Sequence, residues 1–294
     1  MCFRNIPFTG IIRKHIMNTN FLPSVPEGGP TRGRLAQLLE ERQAQGKLVS
    51  ALDELAKDAG LSRLAARRQF ERLVPKAVQL PGRPSLLLTV PPEDRPRGAP
   101  PVAAWLHDYM RHRAPHSYYV GLLSAAALHG SSSQAPMTMQ VIVPKPIRAF
   151  EVGRLRIEFI TKRRADRTPL SVLPGLAAPL NVSTPAATFL DLVAFSRRVG
   201  GMTRVLEIVA GLKPKLTARE LREALLADAP LPVMQRTGYL LEHLNCPSLA
   251  SIVEKFLPST CAVVPLQAGA PANHALGIER WRLLDNVGLA GKIP

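Results

Sequence analysis

Ser62-Arg63-Leu64-Ala65-Ala66-Arg67-Arg68-Gln69-Phe70-Glu71-Arg72-Leu73-Val74-Pro75 combines a helix start, an apolar stripe and a row of cations in one short segment. The Ser62 hydroxyl is suited to accept an orphan backbone N–H, so a helix is expected from about Arg63. Pro75 disfavours helical geometry in the residue before it, so the helix is expected to end at Val74. On a wheel of about 3.6 residues per turn, Ala66, Phe70, Leu73 and Val74 gather on one side. Arg68 and Arg72 fall opposite them, Ala65 and Gln69 beside these, and Arg63 and Arg67 on the flank. The apolar side seats the helix. The far side presents long planar donors and one amide, the groups that read base edges in a major groove, and small Ala65 permits close approach.

Upstream, residues 31–47 carry Leu35, Leu38 and Leu39 at the spacing of one buried stripe, with Gly46 near the end. A shorter helix is expected over 52–59, with Leu52, Leu55 and Ala56 on one face and Gly60 as its stop. Downstream, a strand over 77–80, the turn Pro81-Gly82-Arg83-Pro84 and a strand over 85–90 read as a hairpin. Helix, helix, turn, helix, hairpin is the order of a winged helix-turn-helix, expected over residues 31–90. Ser62, Arg63, Arg67, Arg68, Gln69 and Arg72 are its expected DNA-binding residues. Arg83, at the hairpin tip, is either a wing contact to phosphate or minor groove, or an exposed turn residue.

The whole chain points the same way. Its 294 residues carry 38 Lys and Arg against 22 Asp and Glu, a formal charge of +16. Such an excess favours a polyanionic partner. Because Arg dominates, and pairs bidentately with phosphate and guanine, nucleic acid is favoured over an anionic membrane surface. The cysteines, Cys2, Cys246 and Cys261, form no metal or redox spacing, and an odd, sparse set suits a reducing cytoplasm. No cofactor or metal site is expected. No apolar run approaches a membrane span. Residues 1–30, broken by Pro23, Pro26, Gly28, Gly29 and Pro30, read as a flexible tail.

Five prolines in 91–101 predict an extended, semi-rigid linker. Beyond it, residues 102–294 read as a larger mixed α/β domain, for an α+β protein overall, and a fragment from Val102 onward is expected to bury its own core. Helices are expected over 102–112 and 117–129, then strands over 139–143, 149–152 and 155–160. Helices follow over 185–197, with Thr184 as cap and Pro185 first, and over 202–212. Thr217 and Glu220 form a capping box for a helix to Leu226. Two more helices are expected over 232–244 and 248–257, and strand-like pieces over 261–266 and 281–287.

Candidate catalytic groups are sparse in this region. Glu158 and Lys162 suggest a nuclease pairing, but their spacing is not E-x-K and no acidic pair accompanies them to hold a metal. His112 and His116 are too few for zinc. No Gly-rich phosphate loop is present. Asp191, inside an apolar run, is expected to bond a backbone amide or a basic side chain. Lys162, Arg163 and Arg164 form a strip that either adds phosphate contacts or is only solvated.

Several ordered stretches, Tyr118 to Gly130, Gln140 to Lys145, Val152 to Phe159, Ser183 to Leu192, Gly200-Gly201 and Arg236 to Glu242, together resemble the C-terminal domain of AbiEi-type antitoxins of abortive-infection systems. Thr237 stands where that pattern is expected to be apolar. The resemblance implies a non-catalytic autorepressor that binds double-stranded DNA, at an operator with inverted repeats. It also implies an antitoxin that opposes a nucleotidyltransferase-like toxin without a stable complex. The rival readings are a nuclease guided by the winged helix and a ligand-sensing transcription factor.

Overall fold

A computed structural model describes residues 33–82, 85–113, 118–131, 138–173, 179–272 and 275–289. The first part contains α1 (Arg34–Ala44), β1 (Val49–Ala51), α2 (Leu52–Asp58), α3 (Arg63–Glu71), β2 (Ala77–Leu80) and β3 (Leu86–Thr89). The strands form an antiparallel sheet in the order β1-β3-β2. The sequence reading lacks β1, whose three residues are too short for a periodic signal.

Leu86, Leu87 and Leu88 explain how this sheet is used. Successive side chains of a strand point to opposite faces, yet all three are fully buried. Leu87 joins Leu35, Leu39, Leu55, Ala66 and Phe70 in a core with the helices. Leu86 and Leu88, with Leu80 of β2, pack instead on Trp105, Leu106 and Tyr109. Those three residues belong to the second part of the chain. The two parts therefore share a core, where the sequence reading expects a fragment from Val102 to bury one by itself.

The segment between them is not extended. Pro92–Arg97 is a 3-10 helix and Val102–Ala104 another. Proline's fixed φ suits a 3-10 turn as well as an extended spacer, so composition alone does not choose between them. Packing chooses: Trp105 Nε1 donates to the Pro100 carbonyl at 3.1 Å, and a Cβ on Gly153 would fall 2.4 Å from the Arg97 carbonyl oxygen.

The second part begins with α4 (Leu106–Arg113), β4 (Tyr119–Val120) and α5 (Leu122–Leu128). It continues with β5 (Thr138–Val143), β6 (Phe150–Val152), β7 (Leu155–Thr161), β8 (Leu170–Val172) and β9 (Asn181–Ser183). These strands make a mixed sheet, β6-β7-β5-β4-β9-β8, with β5 parallel to β7 and β4 parallel to β9. Tyr119 and Val120 are strand where a helix was expected; aromatic and β-branched residues suit a pleated surface. Val141, Ile157 and Val182 face the shared core. Ile142 and Ile160 face the other side.

On that other side lie α6 (Pro185–Ala194), α7 (Met202–Leu212), α8 (Ala218–Asp228), α9 (Leu231–His243) and α10 (Pro247–Glu254). The caps at Thr184 and Thr217 form as expected: each hydroxyl accepts a backbone N–H, from Ala187 and Glu220. A small sheet, β10 (Val264–Pro265), β11 (Leu276–Ile278) and β12 (Leu283–Asp285), closes over α9. Among the described residues, no helix is long and apolar enough to cross a membrane.

Candidate nucleic-acid interface

Helix α3 starts where its cap is placed: Ser62 Oγ accepts the Ala65 N–H at 3.2 Å. It ends earlier than expected, at Glu71, with Arg72 as C-cap. Val74 is 60% exposed and so is not part of the buried stripe, a correction to the wheel. Ala66 and Phe70 remain as the seat of the helix.

The four arginines fall into two pairs. Arg63 meets Asp53 at 3.0 Å and Arg67 meets Glu71 at 3.6 Å, both at exposed sites. Ion pairs this exposed contribute about 0–1 kcal/mol and exchange easily for another anion. Arg68 and Arg72 are exposed and pair with no acid among the described residues. Gln69 is turned inward. Its Oε1 accepts the Leu35 N–H at 3.2 Å, which ties α1 to α3 and withdraws that oxygen from the exposed side. Arg83 lies outside the described residues.

A groove runs between α3 and the β2–β3 hairpin. Arg63, Leu64 and Arg67 line one wall and Gln79 and Ser85 the other. Leu64, 60% exposed, is a residue that the sequence reading passes over. Its signal was available: an apolar side chain placed among arginines, off the buried stripe.

The strip after β7 behaves differently. Lys162 turns inward, and its ammonium donates to Asp191 Oδ1 at 2.8 Å, Thr168 Oγ1 at 2.9 Å and the Tyr119 hydroxyl at 3.3 Å. An ammonium has three donors, and all are engaged, so Lys162 is not a phosphate contact in this conformation. Tyr119 donates to the second Asp191 oxygen at 2.8 Å. Burial, then the Asp191 charge, pushes the Tyr119 hydroxyl well up, so it stays a donor. Asp191 thus bonds a basic side chain, one of its two expected options. Arg163 and Arg164 stay exposed.

Glu158 goes elsewhere, pairing with Arg198 at 3.2 Å, so it and Lys162 do not converge on a common site. The described residues contain no group of three or more His, Cys, Asp or Glu able to hold a metal. His116 lies outside the described residues.

Fold and site together define an α+β protein with an arginine-lined helix at one end and a mixed-sheet unit at the other. Residues 119–243 match the family described as the AbiEi antitoxin C-terminal domain. No curated protein matches the chain. Among solved structures, it is similar to the RV2827C protein from Mycobacterium tuberculosis. The TM-score is 0.64 at 18% identity, covering 87% of this chain and 92% of that one. At that identity, the likeness concerns fold alone.

Proposed function

We propose that the chain is a cytoplasmic, non-catalytic antitoxin that also represses its own promoter. Residues 31–90 act as a winged helix-turn-helix, α3 enters the major groove, and residues 102–294 oppose a nucleotidyltransferase-like toxin. The observation that supports the DNA-binding half is the exposed pair Arg68 and Arg72, which meet no acid among the described residues, on the far side of a helix seated by Ala66 and Phe70. Arg63 and Arg67 supply phosphate contacts, at the cost of weak surface pairs. Leu64 is placed for an apolar contact such as a thymine methyl. Gln69 is left out of this set because its carbonyl oxygen already holds α1. The antitoxin half rests on the family match over 119–243.

The experiment is a binding titration with a duplex from upstream of the chain's own reading frame. Arg68→Ala or Arg72→Ala should weaken specific binding by about 1–3 kcal/mol if the lost contact is bidentate to a guanine, and relax preference at that base. Unchanged affinity in both variants would remove α3 from the role.

A further inference from the structure

Helix α4 belongs to the second unit, yet it ends against the hairpin of the first. The Tyr109 hydroxyl donates to the Pro81 carbonyl at 3.0 Å. One turn later, Arg113 lies over Gly82: a Cβ added there would fall 2.9 Å from Arg113 Cδ and 3.2 Å from Nε. Burial pushes the Tyr109 hydroxyl up, and the positive charge of nearby Arg113 works the other way. The stem of Arg113 is thereby held along the hairpin turn while the residue stays exposed. No carboxylate among the described residues pairs with it.

Gln79 of β2 and Ser85, just before β3, line the groove together with Arg63 and Arg67. Basic groups thus flank the hairpin on both sides, from α3 and from α4. A guanidinium offers a rigid fork that matches phosphate bidentately. Holding its stem before binding lowers the entropy lost when the contact forms.

We infer that Arg113 is a DNA-backbone contact supplied by the second unit, placed by Tyr109 and by the absence of a side chain at Gly82. The inference rests on the reading of residues 31–90 as the DNA-binding unit. Backbone contacts position a protein on the duplex without reading sequence. Arg113 therefore fixes how the hairpin meets the phosphates and leaves base preference to α3.

The test is a salt titration of the full chain on two labelled duplexes, one from upstream of its own reading frame and one scrambled. Arg113→Gln should weaken binding to both equally and flatten the slope of log affinity against log salt by about 0.9, the value for one phosphate. Arg113→Lys should keep most of the slope, which separates charge from packing on Gly82. Tyr109→Phe should lower affinity with the slope retained. Circular dichroism checks that each variant is folded. A slope unchanged in Arg113→Gln, while Arg68→Ala still loses specific binding, overturns the inference and leaves the reading of α3 intact. A wild-type chain without affinity for either duplex overturns both.

Discussion

Asp191 brings a negative charge into a core where it is 1% exposed, and its two oxygens meet Lys162 and Tyr119. The pair joins α6 to the segment after β7, and Tyr119 adds β4. Removing one member of a buried pair leaves the other charge uncompensated. Lys162 is part-exposed and regains some water, so Asp191→Ala should cost about 1–3 kcal/mol in urea unfolding. Replacing Lys162 with Met should lower stability while leaving the salt dependence of DNA binding as it is. A flattened salt slope in that variant would return Lys162 to the phosphate contacts. His129 gives a second prediction at this scale. Burial, with Lys215 nearby, lowers its pKa, although its bond to the Ser183 carbonyl works the other way. The unfolded chain then takes up a proton on His129 before the folded chain does, so this term favours folding above the ordinary imidazole pKa. Stability should fall as pH drops below about 6.5, continuing toward the lower folded value. The drop in Tm between neutral and mildly acidic buffer should be smaller in His129→Asn; an equal drop would assign the pH dependence to other groups.

Helix α9 shows how one position governs an element. Gly238 sits in its middle, where a Cβ would fall 2.0 Å from Trp281 Cζ3. Trp281 is fully buried there, and its Nε1 donates to Glu242 at 2.6 Å. Gln235, one turn earlier, donates to the carbonyls of Ala262, Trp281 and Arg282. Together they clamp the small β10-β12-β11 sheet. Gly238→Ala should displace the indole, destabilise the chain by about 1–3 kcal/mol as overpacking does, and shift tryptophan emission to the red. Emission and unfolding midpoint both unchanged would mean that the sheet yields without cost. Helix α3 is more tolerant: loss of its cap in Ser62→Ala should cost about 1 kcal/mol, seen as a lower midpoint with the same fold.

At the scale of the molecule, the shared core decides mechanical behaviour. Leu80, Leu86 and Leu88 of the first unit cover Trp105, Leu106 and Tyr109 of the second. Cutting at residue 102 exposes both apolar faces to water, at roughly 25 cal/mol for each Å² uncovered. Full-length protein should therefore unfold in one transition by circular dichroism and by tryptophan emission together. A fragment from Val102 onward should bind a hydrophobic dye such as ANS unless the face of α4 is made polar. Two separate transitions in the full chain would show that the units are stable independently.

Helix α3, with its Ser62 cap and its seat on Ala66 and Phe70, was legible in the sequence because local rules fix it: a hydroxyl before the first turn, and apolar spacing along one face. The same holds for the caps at Thr184 and Thr217 and for the resemblance over 118–242. The inward turns of Lys162 and Gln69 were not legible. A basic strip and a helix wheel describe where a side chain leaves the backbone, and the partners that draw it inward, Asp191 and the Leu35 N–H, lie far along the chain. The coiling of 92–97 also needed the neighbour at Gly153, because proline's φ serves either form. Leu86-Leu87-Leu88 did hold a clue: an unbroken apolar run in a strand calls for cover on both faces. Which element supplies the second cover, helix α4 with Tyr109 and Arg113, is set by long-range packing, where burial of large apolar side chains outweighs any local preference.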